Sequence, residues 1–167
     1  LAVLGIELIE QPLSPHEIPA LVRLRQSSQI PLAADEALAQ PGMAERLLEM
    51  RAIDVLVLKA PVLGGVRSAA RLAARARVAG VRSFVTTTVD SSLGTALALQ
   101  LAAAIDGGTL RYGGVALAHG LSTGLALEHD LVSSPLLPER GGMALPASPG
   151  LGVEPDEAAI ENCATGP

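Results

Sequence analysis

Short apolar runs alternate with longer stretches in which apolar residues recur every three or four positions. Ile6 to Ile9 reads as a strand ending at Glu10-Gln11-Pro12, and Pro15 to Ser27 carries a helical pattern. Ile30 to Ala34 is a second strand ending at Asp35-Glu36, and a helix over roughly Pro41 to Arg51 has proline well placed in its first turn. Val55 to Leu58 is an unbroken apolar run, the signature of a strand buried on both faces, and it ends at Lys59. Gly64-Gly65 opens a helix to about Ala79, and Ser83 to Thr87 with Ser91 to Ile105 gives the next strand and helix. Val115 to Ala118 is read as a fifth strand ending at His119-Gly120, with a short helix near Thr123 to Glu128. After Leu131 the periodicity fades into a Pro/Gly-rich tail.

Strict alternation of strand and helix argues for a parallel sheet. The chemistry-bearing residues share its period: Asp35 follows Glu10 by 25 positions, and Lys59 follows Asp35 by 24. Each falls at the carboxyl end of a strand, which is one common face in a parallel β/α array and the face that carries chemistry in such folds. An eight-stranded β/α barrel typically needs about 250 residues, whereas this chain has 167. The expectation is the C-terminal part of a barrel, five strands within residues 1–131, with residues 132–167 as a tail.

Composition narrows the classes. Half the chain is apolar, yet Phe84 and Tyr112 are the only aromatics, so the core rests on Leu, Ala and Val. A net charge of −5 with no basic stripe argues against nucleic acid. The longest apolar stretch, Leu93 to Ile105, is interrupted and too short to span a bilayer. Cys163 is the sole cysteine, which fits a reducing, cytoplasmic setting. The chain opens on Leu1 without a basic leader, and the absence of an initial methionine suggests that its beginning lies elsewhere.

Lys59 is the only lysine among twelve basic residues. Arginine keeps its proton in proteins, whereas lysine changes pKa readily when desolvated. A single lysine at a strand end is therefore a candidate for chemistry, against the alternative of an ammonium snorkelling to water. Glu10 and Asp35 offer hard oxygen donors of the kind Mg²⁺ takes, and a metal beside a lysine suits proton removal next to a carboxylate. They read equally as acidic groups at helix starts. His119 reads as a polar lining or structural group, His16 and His129 as surface residues, and Arg67, Arg71 and Arg75 as a solvated helix face. Ser91 and Ser92 suit a helix cap.

Ile6-Glu7-Leu8-Ile9-Glu10-Gln11-Pro12, Ala33-Ala34-Asp35-Glu36 and Leu58-Lys59 with Gly64-Gly65 resemble the fourth, fifth and sixth strand ends of the enolase superfamily barrel. The likeness extends to Thr87-Thr88-Val89-Asp90-Ser91-Ser92-Leu93-Gly94 at the seventh strand and Ala118-His119-Gly120-Leu121-Ser122-Thr123-Gly124 at the eighth. Pro149 to Val153 is similar to the family's closing segment, and the muconate-lactonizing subgroup is the nearest likeness. The resemblance implies that Glu10 and Asp35 are two of three carboxylate ligands of Mg²⁺, that Lys59 is the sixth-strand lysine, and that Glu36 supports Asp35 from outside the ligand set. It further implies that the turn at Asp90 and Ser91, together with Gly120, holds a small-molecule carboxylate substrate. The third carboxylate and a partner lysine pair belong to earlier strands, so an N-terminal barrel half, on the same or a separate chain, is the implied partner.

Within the subgroup, the eighth-strand motif with Asp130 after it is most similar to o-succinylbenzoate synthases, which implies a lyase of menaquinone biosynthesis. Muconate cycloisomerase and N-acylamino acid racemase stand as alternatives within the subgroup, and a non-catalytic barrel fragment as the alternative outside it. The Asp-x-Asp pair of dipeptide epimerases is missing from Ala116-Leu117-Ala118-His119, and the seventh strand lacks the histidine of the mandelate racemase subgroup.

Overall fold

The computed structural model describes residues 4–106, 111–112, 115–116 and 118–164. Contacts divide the chain into two compact units, Leu1–Phe84 with Thr109–Leu117, and Val85–Gly108 with Ala118–Pro167.

In the first unit β1 (Ile9–Glu10), β2 (Leu32–Ala34), β3 (Val55–Leu58) and β4 (Arg82–Val85) form one sheet in sequence order, β4 running on into the first residue of the second unit. Ile9 pairs in parallel with Leu32 and Ala33 with Val55, so each strand is followed by a crossover to the next. The connections are α1 (Ile18–Ser27), a 3₁₀ turn (Glu36–Ala39) with α2 (Met43–Glu49), and α3 (Val66–Val78). All four residues of β3 are buried, as the unbroken apolar run requires of a strand covered on both faces. Ala33, Val55, Val57 and Phe84 cluster on one side of the sheet with Leu8 against them. By strand alternation Leu32, Ala34, Leu56 and Leu58 take the opposite face. On α3 the buried residues are Ala69, Leu72, Ala73 and Ala76, at i, i+3, i+4 and i+7, which turns Arg67, Arg71 and Arg75 outward. Gly65 precedes α3 at φ 108° and ψ 170°, a backbone conformation that essentially only glycine adopts.

A second anchor lies at the amino end of the sheet. Arg25 Nη2 stands 2.8 Å from Asp54 Oδ1 and its Nη1 donates to the Arg51 carbonyl, while Asp54 Oδ2 accepts the Leu32 N–H. One carboxylate thereby ties α1 to the loops that start β2 and β3.

The fifth parallel strand is a correction. Val115–Ala116 (β6) pairs antiparallel with Arg111–Tyr112 (β5) in a separate two-stranded sheet. The sequence carried a cue for this, since Gly113-Gly114 between two short runs is a hairpin signal. Leu117, inside the expected strand, lies outside the described residues. In the second unit the parallel contact at this place is a single bridge, Thr86 to Gly120. That unit also holds α4 (Ser92–Asp106), a 3₁₀ turn (Thr123–Ala126) in place of the expected short helix, and α5 (Glu157–Ala164) within the segment read as an aperiodic tail. Among the described residues no helix is long and apolar enough to cross a membrane.

Candidate active site

Three strand ends of the first unit bring titratable side chains together. Lys59, just past β3, pairs its Nζ with Asp35 Oδ2, and both side chains are largely withdrawn from water. Glu10, the last residue of β1, is close enough to Asp35 for the two carboxyls to repel and to share a hydrogen bond. Partial burial, then Asp35's charge and that hydrogen bond, raise the Glu10 pKa from its ordinary value; Lys59 pulls it down and Glu36 pushes it up. Two carboxylates converging on one ammonium leave an excess of negative oxygen at the rim. That donor set fits a hard divalent cation as two ligands out of a larger set. Among the described residues no group of three or more His, Cys, Asp and Glu side chains is placed to hold a metal.

The backbone explains how Asp35 is held. Gln11 follows Glu10 with φ 41°, an uncommon conformation for a side chain other than glycine. Its N–H donates to the Ala33 carbonyl, and its Oε1 accepts both the Asp35 N–H (3.0 Å) and the Ala37 N–H (3.2 Å). Its amide nitrogen donates to the Leu13 carbonyl at 2.8 Å. One glutamine thus fixes the turn after β1 to the turn after β2. Sequence reasoning gave Gln11 no role; its place in Glu10-Gln11-Pro12, next to a proposed ligand, was the available signal. Glu36 begins the 3₁₀ turn and is exposed, reaching Glu10 through its charge. A groove of about 560 Å³ opens beside them, lined by the Glu10 to Pro15 segment and Glu36.

The remaining expected site residues lie in the second unit. Asp90 and Ser91 sit in the turn before α4, partly buried, and the Ser91 carbonyl accepts the Thr95 N–H at 2.9 Å. A Cβ on Gly94 would stand 2.8 Å from Asp90 Cβ, so the Asp90 side chain folds over the first turn of α4 where only glycine leaves room. Val89, a β-branched residue at φ 129°, carries the strain of this turn. Gly120 is packed just as closely, a Cβ there falling 2.7 Å from Thr86 Oγ1. Its carbonyl accepts the Thr87 N–H and both threonine hydroxyls, of Thr86 and Thr87, while Thr87 Oγ1 lies 2.6 Å from Thr123 Oγ1.

Two residues here act on backbone. His119 Nδ1 accepts the Val85 N–H at 2.9 Å, so the imidazole takes the part of a ladder carbonyl at the end of β4. Asp130 reaches back 38 positions to α4, accepting the Ser92 N–H on both oxygens (2.9 and 3.1 Å) and the Ser92 hydroxyl at 2.6 Å. Ser92 Oγ in turn accepts the Leu136 N–H. A negative group at a helix N-terminus is favoured by the dipole and by unpaired N–H groups. The cap on α4 is therefore Asp130, beyond the local serine pair that the sequence suggested.

Comparison with known proteins gives the family. The family described as "Enolase C-terminal domain-like" matches residues 1–159. A chloromuconate cycloisomerase of Cupriavidus pinatubonensis is 31% identical over 160 residues, covering 96% of this chain and 41% of the relative. A muconate cycloisomerase 1-2 of Acinetobacter lwoffii is 34% identical over 152 residues, covering 91% and 38%. Among solved structures, the muconate lactonizing enzyme from Pseudomonas putida superposes with a TM-score of 0.82 at 30% identity over 95% of this chain and 42% of that one. The N-succinyl Arg/Lys racemase from Bacillus cereus gives 0.83 at 26% identity, over 97% and 41%. The chain thus spans about two fifths of the length of these relatives. Cycloisomerases and a racemase support the second of the activities read from the sequence over o-succinylbenzoate synthesis. In the eighth-strand motif that favoured the synthase, His119 accepts the Val85 N–H. The chain belongs to the enolase C-terminal domain-like family.

Proposed function

We propose that this chain supplies the C-terminal part of the active site of a Mg²⁺-dependent cycloisomerase that converts a muconate-type dicarboxylate to its lactone. The observation that carries the reading is the convergence of Glu10, Asp35 and Lys59 on successive parallel strand ends, in a chain similar to muconate and chloromuconate cycloisomerases. The implied partner is the N-terminal barrel half, in the same or a separate chain.

In lactonisation one carboxylate oxygen bonds to a carbon of the conjugated system, and the displaced π electrons move toward the other carboxylate as an enolate. A proton then adds to the carbon next to that carboxylate. Glu10 and Asp35 would hold Mg²⁺, which when bound supplies Lewis-acid stabilisation of charge on the substrate carboxylate. Lys59 contributes a compact positive charge at the same rim, placed by its contact with Asp35 to stabilise the charge that grows during the reaction. Gln11 fixes the register of the two carboxylate-bearing turns, so the site does not reorganise as charge develops. The resemblance implies substrate contacts for Asp90, Ser91 and Gly120, which lie in the second unit.

The same equipment serves α-proton exchange, and the structural likeness to an N-succinyl amino acid racemase supports that second reading. The test is the chain joined to the N-terminal segment of a muconate cycloisomerase, assayed with muconate, an N-succinyl amino acid and the cyclohexadiene precursor of o-succinylbenzoate. Lactonisation of muconate as the fastest reaction is expected. Turnover of one of the other two substrates alone moves the assignment to that activity.

A further inference from the structure

On the helical side of the first unit lies a groove of about 430 Å³ that the proposed reaction does not use. Its apolar walls come from Leu38 and Pro41 on one side and Val62, Leu63 and Leu72 on the other. Its polar lining is Ser68, Arg71 and Arg75 of α3 together with Gln40 and the Glu45 carboxylate. The size is within the range of small-molecule sites, which are mostly apolar with a few polar groups for orientation.

Charge makes the groove selective. The whole chain carries −5, yet α3 holds four arginines and no acidic residue. Glu45 neutralises Arg75 at 2.5 Å, and its carboxyl is held below the usual range, first by its own backbone N–H and then by Arg75. Among the described residues Arg71 has no acidic partner: its Nη2 reaches the neutral Ser68 hydroxyl at 3.4 Å, a long contact. An exposed guanidinium beside an apolar cleft suits a molecule with a hydrocarbon body and an anionic head, since planar guanidinium pairs with carboxylate through two parallel bonds.

The walls of this groove are also the supports of the catalytic pair. The Leu38 N–H donates to the Asp35 carbonyl at 2.9 Å, and the Leu63 N–H donates to the Lys59 carbonyl at 3.1 Å. A body wedged between Leu38 and Leu63 therefore presses on the two turns that present Asp35 and Lys59. We propose that this groove is an effector site for an apolar organic carboxylate, its head on Arg71 and its body between Leu38 and Leu63, coupled through two backbone hydrogen bonds to the Asp35–Lys59 pair. The inference concerns a site separate from the proposed reaction and stands whichever subgroup activity the protein has.

Octanoate is the probe, with 1-octanol as its uncharged control, titrated into the ¹⁵N-labelled chain and followed by amide shifts. Saturable one-site octanoate binding should shift the Leu38 and Leu63 amides, with 1-octanol binding at least about tenfold more weakly, as expected for loss of a charge-assisted contact. Arg71→Gln, an exposed change, should weaken octanoate by a similar factor and leave 1-octanol alone. Glu45→Gln should tighten octanoate by releasing Arg75. Non-saturable binding, equal affinity for octanoate in the Arg71→Gln chain, or shifts that spare both Leu38 and Leu63 would overturn the proposal.

Discussion

The two units treat their strand-end polar residues differently. In the first, Glu10, Asp35 and Lys59 address one another: carboxylate faces carboxylate, and an ammonium lies between water and the core. In the second, the polar groups mostly serve main chain. His119 completes a ladder bond at Val85, Asp130 caps α4, and the hydroxyls of Thr86 and Thr87 both reach the Gly120 carbonyl. Side chains that satisfy backbone build a scaffold. Side chains that face like charges at a partly buried rim are unfavourable alone, and that is the arrangement a metal or substrate relieves.

The sharpest break between the units is chemical. In the assembled barrel, Asp35→Asn should abolish turnover, because it removes both a proposed cation ligand and the partner of Lys59. Asp130→Asn, the same change of charge in the second unit, should leave turnover within a few-fold while lowering stability. Steady-state rates for the two variants side by side measure this. Equal losses in both would erase the distinction.

Next in size are the close-packed glycines. Gly94→Ala puts a methyl 2.8 Å from Asp90 Cβ, and Asp90 or the helix start must shift. The expected cost is about 1–3 kcal/mol, the usual range for overpacking. If Asp90 seats substrate, KM should rise more than kcat falls; unchanged KM would confine Asp90 to structure.

Asp130→Ala removes a cap that engages both the N–H and the hydroxyl of Ser92. Loss of a helix cap typically costs about 1–2 kcal/mol at the upper end of its range, readable in urea denaturation. A value near zero would mean that water or a neighbouring group replaces the carboxylate without cost.

The smallest effect is the pH slope from Glu10. Its folded pKa is raised, so between the unfolded and folded values the folded chain retains a proton that the unfolded chain has released. Stability therefore falls as pH rises through that window. Glu10→Gln should flatten the slope, and denaturation midpoints taken across the acid range measure it.

The first unit was legible because its signals are periodic. An unbroken Val55 to Leu58 run specified a buried strand, and the 24- and 25-residue spacings carried its neighbours to one rim. Boundaries drifted where short strands hand over to turns: Ile6 to Leu8 precede β1, and Pro41 lies outside α2. The second unit was less legible because its order rests on contacts between distant residues. The 38 positions separating Asp130 from Ser92 leave no local pattern. Gln11 escaped notice for the same reason, since its role is to join two turns 24 residues apart.

The most direct test of the account is the turnover of the assembled barrel with Lys59 and with Lys59→Arg. Arginine preserves charge but replaces a compact ammonium with a broad planar group. The parent enzyme should lactonise muconate, and Lys59→Arg should lose at least ~10²-fold in kcat, the scale of removing one electrostatic stabiliser. Equal rates for the two would contradict it, leaving the Asp35–Lys59 contact as an ion pair of the scaffold.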